Sequence, residues 1–206
     1  MFWVRKGGDV KASEWQRTLQ RYREQYRKVL FTPAELANIA GQSMPVLKNS
    51  LHSLRRQGVF ELYAQGKYGL PGAVLVEDLV VALDASAYIT GMYALYNHGL
   101  LNQTPQRIHV FTNRRHNRSR VRKTKFGTII LVCVQGTAYA LPDGSAVAGP
   151  EQSLCDFVYL LRRRGLLADS LVSFRELQRL DMEEMQRQLS RYPKTVELEV
   201  NRLVSK

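Results

Sequence analysis

Residues Phe31 to Gly72, FTPAELANIAGQSMPVLKNSLHSLRRQGVFELYAQGKYGLPG, hold the most legible plan in a chain of 206 residues. Thr32-Pro33-Ala34-Glu35 has the form of a helix start: a threonine able to cap free N–H groups, a proline at the first helical position and a glutamate that can reach back to the cap. Leu36, Ile39 and Ala40 form a short apolar face. Gly41 allows a tight turn, and Ser43 is placed to cap a second helix with Pro45 near its start. In that second helix the spacing of Leu47, Leu51 and Leu54 predicts one buried stripe. It leaves Pro45, Lys48, Asn49, His52, Arg55 and Arg56 toward solvent. Gly58 ends the helix. Val59–Tyr63 and Tyr68–Leu70 then read as the arms of a β-hairpin with Gly66 at its tip. Two short helices meeting at a corner, followed by a hairpin, is the plan of a winged helix-turn-helix.

A helix of this size fits the DNA major groove, where amide and cationic side chains near its start can read base edges. Lys48, Asn49 and His52 are so placed. Arg56, further along, suits a phosphate, and Gln65 and Lys67 at the wing tip would reach a neighbouring phosphate or the minor groove. The plainer alternative is a small helical module that docks another protein, its charges merely solvated. The formal net charge of +12 favours a polyanion.

Upstream, Ser13 to Leu30 is expected to be one helix, with Trp15, Leu19, Tyr22, Tyr26 and Leu30 at helical spacing and arginines between them. The aromatic stripe reads as core rather than as a base-stacking platform. Met1 to Leu75 holds 12 basic and 5 acidic residues. In the remainder, basicity concentrates in NRRHNRSRVRKTK, where Arg114, Arg115, Arg118, Arg120, Arg122, Lys123 and Lys125 occur without one carboxylate. This run is either a solvated connection between strands or a grip on a phosphate backbone or an acidic protein surface.

The chain is expected to divide at Pro71-Gly72-Ala73. That gives a domain from Met1 to Gly72 and a mixed α/β domain from Ala73 to Lys206, an α+β chain overall. In the second part Val74 to Leu83 is an apolar transition and Ala85 to His98 a helix closed by Gly99. Arg107–Thr112 is a half-buried strand, and Thr128–Val134 a strand covered on both faces. Leu141 to Ser145 is a turn between further short strands, and Gly149-Pro150-Glu151 opens a helix over Gln152–Arg164 with Leu154, Phe157, Val158 and Leu161 inward. Ser173 to Glu176 and Asp181 to Glu184 both have capping-box form, and Thr195 to Val204 is amphipathic. Cys133 and Cys155 lie in apolar surroundings, as buried reduced thiols do. No apolar run is long enough to span a bilayer and the first residues lack a signal-peptide pattern, so a cytoplasmic protein is expected.

The segment YITGMYALYNHGLL, the strand IHVFTN with its trailing basic run, and AGPEQSLCDFVYLLRRRG resemble segments of AbiEi-type antitoxins, and the likeness extends over nearly the whole chain. The resemblance implies an N-terminal winged helix-turn-helix that binds the operon's own promoter. It also implies a C-terminal domain that counteracts a cognate nucleotidyltransferase-like toxin. Lys48, Asn49, His52, Arg56, Gln65 and Lys67 inherit a DNA role on that likeness. Residues that would meet the toxin cannot be assigned. An inverted-repeat promoter would take two copies, which could assemble on the DNA itself; the sequence leaves the oligomeric state in solution open, a monomer included.

An enzyme is the rival class, as a nuclease-like effector targeted by the winged helix. Its magnesium chemistry would need converging carboxylates, for which Asp143, Glu151 and Asp156 are the candidates. Asp143 sits in a Pro-Asp-Gly turn and Glu151 at a helix start, both ordinary structural places. Asp156, on an otherwise apolar helix, reads as a buried group holding a loop or an arginine such as Arg107 or Arg114. His52, His98, His109 and His116 are scattered, and no glycine-rich phosphate loop occurs. A non-catalytic protein without metal or cofactor is therefore expected.

Overall fold

The computed structural model describes residues 11–117 and 120–205, an α+β protein in two compact units. The first comprises the described residues up to Ala82 together with Lys123–Phe126. The second comprises the described residues of Leu83–Arg122 and Gly127–Lys206. The first unit therefore runs past the break expected at Gly72 and takes in one short excursion from later in the chain.

In the first unit α1 (Ala12–Tyr26) buries Trp15 and Leu19 and stops at Arg27, which adopts a left-handed conformation (φ 51°). The helix expected to reach Leu30 thus ends a turn early. Tyr26 is left 68% exposed, so it does not belong to the aromatic core stripe. α2 (Pro33–Ala40) starts with the capping box its sequence predicts. Thr32 Oγ1 accepts from the Glu35 amide at 3.3 Å, and Glu35 Oε2 accepts from the Thr32 amide at 2.8 Å. Gly41 takes the left-handed turn (φ 63°) into α3 (Met44–Arg56). Ser43 stands at the cap of α3 as expected, but its hydroxyl caps no amide. Leu47, Leu51 and Leu54 are buried and meet Trp15, Leu19, Phe31, Leu36 and Phe60 in one core.

The hairpin pairs β1 (Glu61–Ala64) with β2 (Lys67–Gly69) in antiparallel register, with Gln65 and Gly66 at the turn. Phe31, between α1 and α2, adds an antiparallel bridge to Tyr68, exchanging bonds of 2.8 and 2.9 Å. The Tyr63 hydroxyl donates to the Leu70 carbonyl at 2.8 Å and ties the end of the hairpin to its start. Gly69 has no room for a side chain: a Cβ there would lie 2.6 Å from the Val29 carbonyl oxygen and 2.9 Å from Val74. Beyond it, the apolar transition after Gly72 is helix α4 (Val76–Leu83), with Val76, Leu79 and Val80 buried.

In the second unit the stretch read as a helix over Ala85–His98 divides. Ala87–Thr90 is strand β3, buried along its whole length, and only Met92–Asn97 is helical (α5). Gly91 marks the change with φ 66° and ψ −143°, a conformation barred to residues with a Cβ. Strand β4 (Arg107–Thr112) pairs antiparallel with β3 on one side and parallel with β6 (Gly127–Cys133) on the other. Part of the basic run is itself strand β5 (Val121–Thr124), so the run is not a plain loop. Its end, grouped with the first unit, pairs Thr124 with Ala64. The Pro142–Gly144 turn is present, but an isolated bridge between Val147 and Ile89 stands where strands were expected.

Helix α6 (Pro150–Arg162) is the centre of this unit, with every residue from Glu151 to Val158 buried. It packs against α5, α7 (Met182–Leu189) and α8 (Lys194–Val204). The capping form at Ser173–Glu176 starts no α-helix. Phe174 instead bridges to Leu101 and stacks edge-on against Phe157, and Glu176 sits at φ 50°. Asp181 does cap α7, accepting from the Glu183 and Glu184 amides at 2.8 and 3.1 Å. Cys155 is buried, its thiol pushed well up by burial, whereas Cys133 is only half-buried; both are free.

Candidate nucleic-acid interface

The helical period that buries Leu47, Leu51 and Leu54 turns the other side of α3 outward, and Pro45, Lys48, Asn49, His52, Arg55 and Arg56 are all exposed. They fall in rows spaced by four residues. Lys48, His52 and Arg56 form one, and Asn49, Ser53 and Gln57 form the next, together lining a shallow open groove along the helix. Ser53 and Gln57 were not singled out from the sequence. The signal was their i, i+4 and i, i+8 spacing from Asn49. The amide of Gln57 donates to Ser53 Oγ at 3.1 Å, so this end of the second row is already self-satisfied. Helix α3 contains no carboxylate, and its field is that of its cations and of the positive end of its own dipole.

At the hairpin turn Gln65 is exposed, while Lys67 begins β2 opposite Ala64 and is half-buried. Along α1, Arg17, Arg21 and Arg23 line a second groove with Gln16, Gln20 and Pro71. Lys28, nearby in sequence, is engaged: its Nζ lies 2.6 Å from Glu35 Oε1 and 5.5 Å from the centre of the Phe31 ring.

The basic run separates into different environments. Arg115, Arg120 and Lys123 are exposed. Arg118 lies outside the described residues. Arg122 is half-buried, and its Nε, shut away from solvent, has no hydrogen-bond partner among the described residues. Lys125 sits in the first unit with its Nζ 2.5 Å from Glu61 Oε2 and 5.3 Å from the centre of the Tyr63 ring. That pairing holds the Glu61 carboxyl below its usual range. Burial, with the neighbouring Glu61 charge, pushes the Tyr63 phenol up to about 12.

Arg114 and His116 are organised by a group the sequence reading passed over. Asp84 is buried and accepts from Thr112 Oγ1 at 2.6 Å, from the Ser86 amide at 2.9 Å and from His116 Nε2 at 2.8 Å, while Arg114 Nε lies 3.9 Å away. Burial alone would raise this carboxyl. The donated hydrogen bonds from Thr112, His116 and Ser86 outweigh it and hold the group below its usual range. The local half of this arrangement, Asp84 turning back onto the Ser86 amide, is an Asx turn readable in Asp-Ala-Ser. The contacts to Thr112 and His116, 28 and 32 residues away, are not.

Of the three carboxylates weighed for metal chemistry, Asp143 is exposed in its turn, and Glu151 accepts from the Asp181 amide at 2.9 Å, tying the start of α6 to the start of α7. Asp156 binds neither Arg107 nor Arg114. It is fully buried, and its oxygens take hydroxyl donors from Tyr192 at 2.6 Å, Thr90 at 2.7 Å and Tyr88 at 3.2 Å. Among the described residues no group of three or more His, Cys, Asp and Glu side chains is placed to hold a metal ion. No described helix is long and apolar enough to cross a membrane.

Comparison of the chain with models of known protein families and with curated proteins finds no match.

Proposed function

We propose that the first unit is a winged helix-turn-helix that binds duplex DNA, and that the chain is an AbiEi-like antitoxin which represses its own operon while its second unit opposes a toxin. The observation that carries the DNA reading is the outward face of α3. It is continuous, exposed and free of carboxylates, with cations and an amide in rows, backed by the buried leucine stripe. The element order supports it as well. A helix, the single bridging strand residue Phe31, two helices and a two-stranded hairpin follow one another, with the bridge pairing to the second hairpin strand. In this reading Asn49 and Lys48 face base edges, and Pro45 and His52 lie along the groove. Arg56 meets a phosphate, and Gln65 with Lys67 form the wing contact. The antitoxin half rests on the sequence resemblance of the second unit.

The test is titration of the purified chain with duplex DNA from upstream of its own reading frame, against a scrambled duplex, over a range of salt. Preferential retention with a steep salt dependence supports the reading, and no retention at low ionic strength removes it. Co-expression with the product of the adjacent reading frame tests the second half: growth rescued by the full chain and by the second unit's residues identifies an antitoxin.

A further inference from the structure

The first turn of α3 carries three consecutive exposed apolar residues, Met44 (37% exposed), Pro45 and Val46 (47%). None belongs to the core that Leu47, Leu51 and Leu54 build. A run of this kind on a solvent face is unfavourable for an isolated soluble helix unless something covers it. Val46 is also β-branched and a weaker helix former than the residues around it, so local structure gives no reason for it. Its position does. It precedes Asn49 by three and Ser53 by seven residues, which sets it on the same side of the helix as the polar row of the groove.

We infer that Val46 is a specificity-determining residue that reads thymine through its 5-methyl group, so that the preferred duplex presents a thymine methyl in the major groove beside the base met by Asn49. This deepens the DNA reading above and rests on it. The occupant follows from what surrounds the apolar turn. Lys48, His52 and Arg56 are exposed on the same helix and α3 has no carboxylate, which suits a polyanion and disfavours an ordinary protein surface. On the major-groove edge of duplex DNA the apolar feature is the thymine 5-methyl, and a small aliphatic side chain at a helix start is the group that packs against it. An asparagine three residues further on is matched to adenine N6 and N7. The two together describe a site with neighbouring A·T pairs.

The experiment compares upstream duplex made with thymine and the same duplex made with uracil, which differ only in the methyl, for the native chain and for Val46→Ala at one salt concentration. Native protein should bind the thymine duplex about fourfold more tightly for each methyl it contacts. Val46→Ala should lose most of that ratio, its affinity falling more for the thymine duplex than for the uracil duplex. Equal affinity of the native chain for both duplexes overturns the inference and leaves the DNA reading standing. A thymine preference undiminished in Val46→Ala, with the far-ultraviolet circular dichroism unchanged, also overturns it. Retention of neither duplex removes the DNA reading itself, and this inference with it.

Discussion

The phenol of Tyr192 donates a 2.6 Å hydrogen bond to Oδ1 of Asp156, joining the segment before α8 to the middle of α6. Thr90 and Tyr88, both on β3, donate to the other oxygen. One buried carboxyl therefore fastens three elements of the second unit that are far apart in sequence. Burial raises its pKa to about 7, against an ordinary value of 3.8, even though all three hydroxyls favour the ionised form.

The contribution of this carboxyl to the stability of the second unit should accordingly fall as pH rises from about 4 to 7. Below 3.8 the folded and unfolded states both hold the proton. Above it the unfolded chain releases its proton first, while the native carboxyl keeps its own until near 7. The loss amounts to a few kcal/mol at most, on the order of 1.4 kcal/mol for each unit of difference. Urea denaturation across this range checks it, and Asp156→Asn should flatten the slope. His109, whose imidazole burial holds below its usual range, works the other way as pH rises toward 6.5, so the comparison of the two chains decides: a slope unchanged in Asp156→Asn contradicts the assignment. Asp84 works in the opposite sense: its depressed carboxyl contributes stability that is present above 3.8 and lost as pH falls below it.

Lys125 and Lys123 should behave differently although they lie two residues apart. Lys125→Gln removes the pair with Glu61 and the contact over Tyr63, and should cost the first unit about 0.5–1 kcal/mol, given that both groups are partly exposed. Lys123→Gln, like Arg115→Gln and Arg120→Gln, should leave the melting temperature in place and act only on salt-dependent binding. If neutralising Arg115, Arg120 and Lys123 together changes neither DNA affinity nor toxin rescue, the run is a solvated connection.

Gly69→Ala should destabilise the first unit by about 1–3 kcal/mol by overpacking, because the new methyl meets a backbone carbonyl and Val74 at once. Thermal denaturation measures this. The exposed Gly58, with open space around it but φ 72°, provides a comparison in which only backbone strain is tested.

On the DNA side, Asn49→Ala should relax sequence preference by about 1–3 kcal/mol at one base position. Lys67→Ala should weaken all duplexes alike and lower the slope of log affinity on log salt by about one. Fluorescence anisotropy with matched and scrambled duplexes separates the two. The reverse pattern would mean that the hairpin reads bases and the helix only grips the backbone.

Much of the first unit was legible in the order of its residues because its signals are local. The Thr32–Glu35 box, the left-handed Gly41 and the leucines at i, i+4 and i+7 each act within a turn or two of chain, where propensity and capping chemistry dominate. The candidate interface follows from the same period, since burying one side of α3 leaves the other side outside. Even here long-range packing set one limit: α1 ends at Arg27, and the chain from there reaches Phe31 in time to pair with Tyr68.

In the second unit the strands β4 and β6 and the helices α6, α7 and α8 were legible by the same local signals, but only the tertiary structure decided the split at Gly91 and the partners of the buried carboxylates. Ala-Tyr-Ile-Thr at 87–90 fits a buried helix as well as a strand by pattern, and the choice was made by β4, which offers a full antiparallel ladder to Ala87 through Thr90. The same packing selects Tyr88, Thr90 and Tyr192 as the donors to Asp156, and Thr112 and His116 as those to Asp84. Periodicity and capping describe a chain's neighbours along the backbone. A buried charge must find its partners across the fold, and those come from segments that meet only once the sheet and helices have assembled.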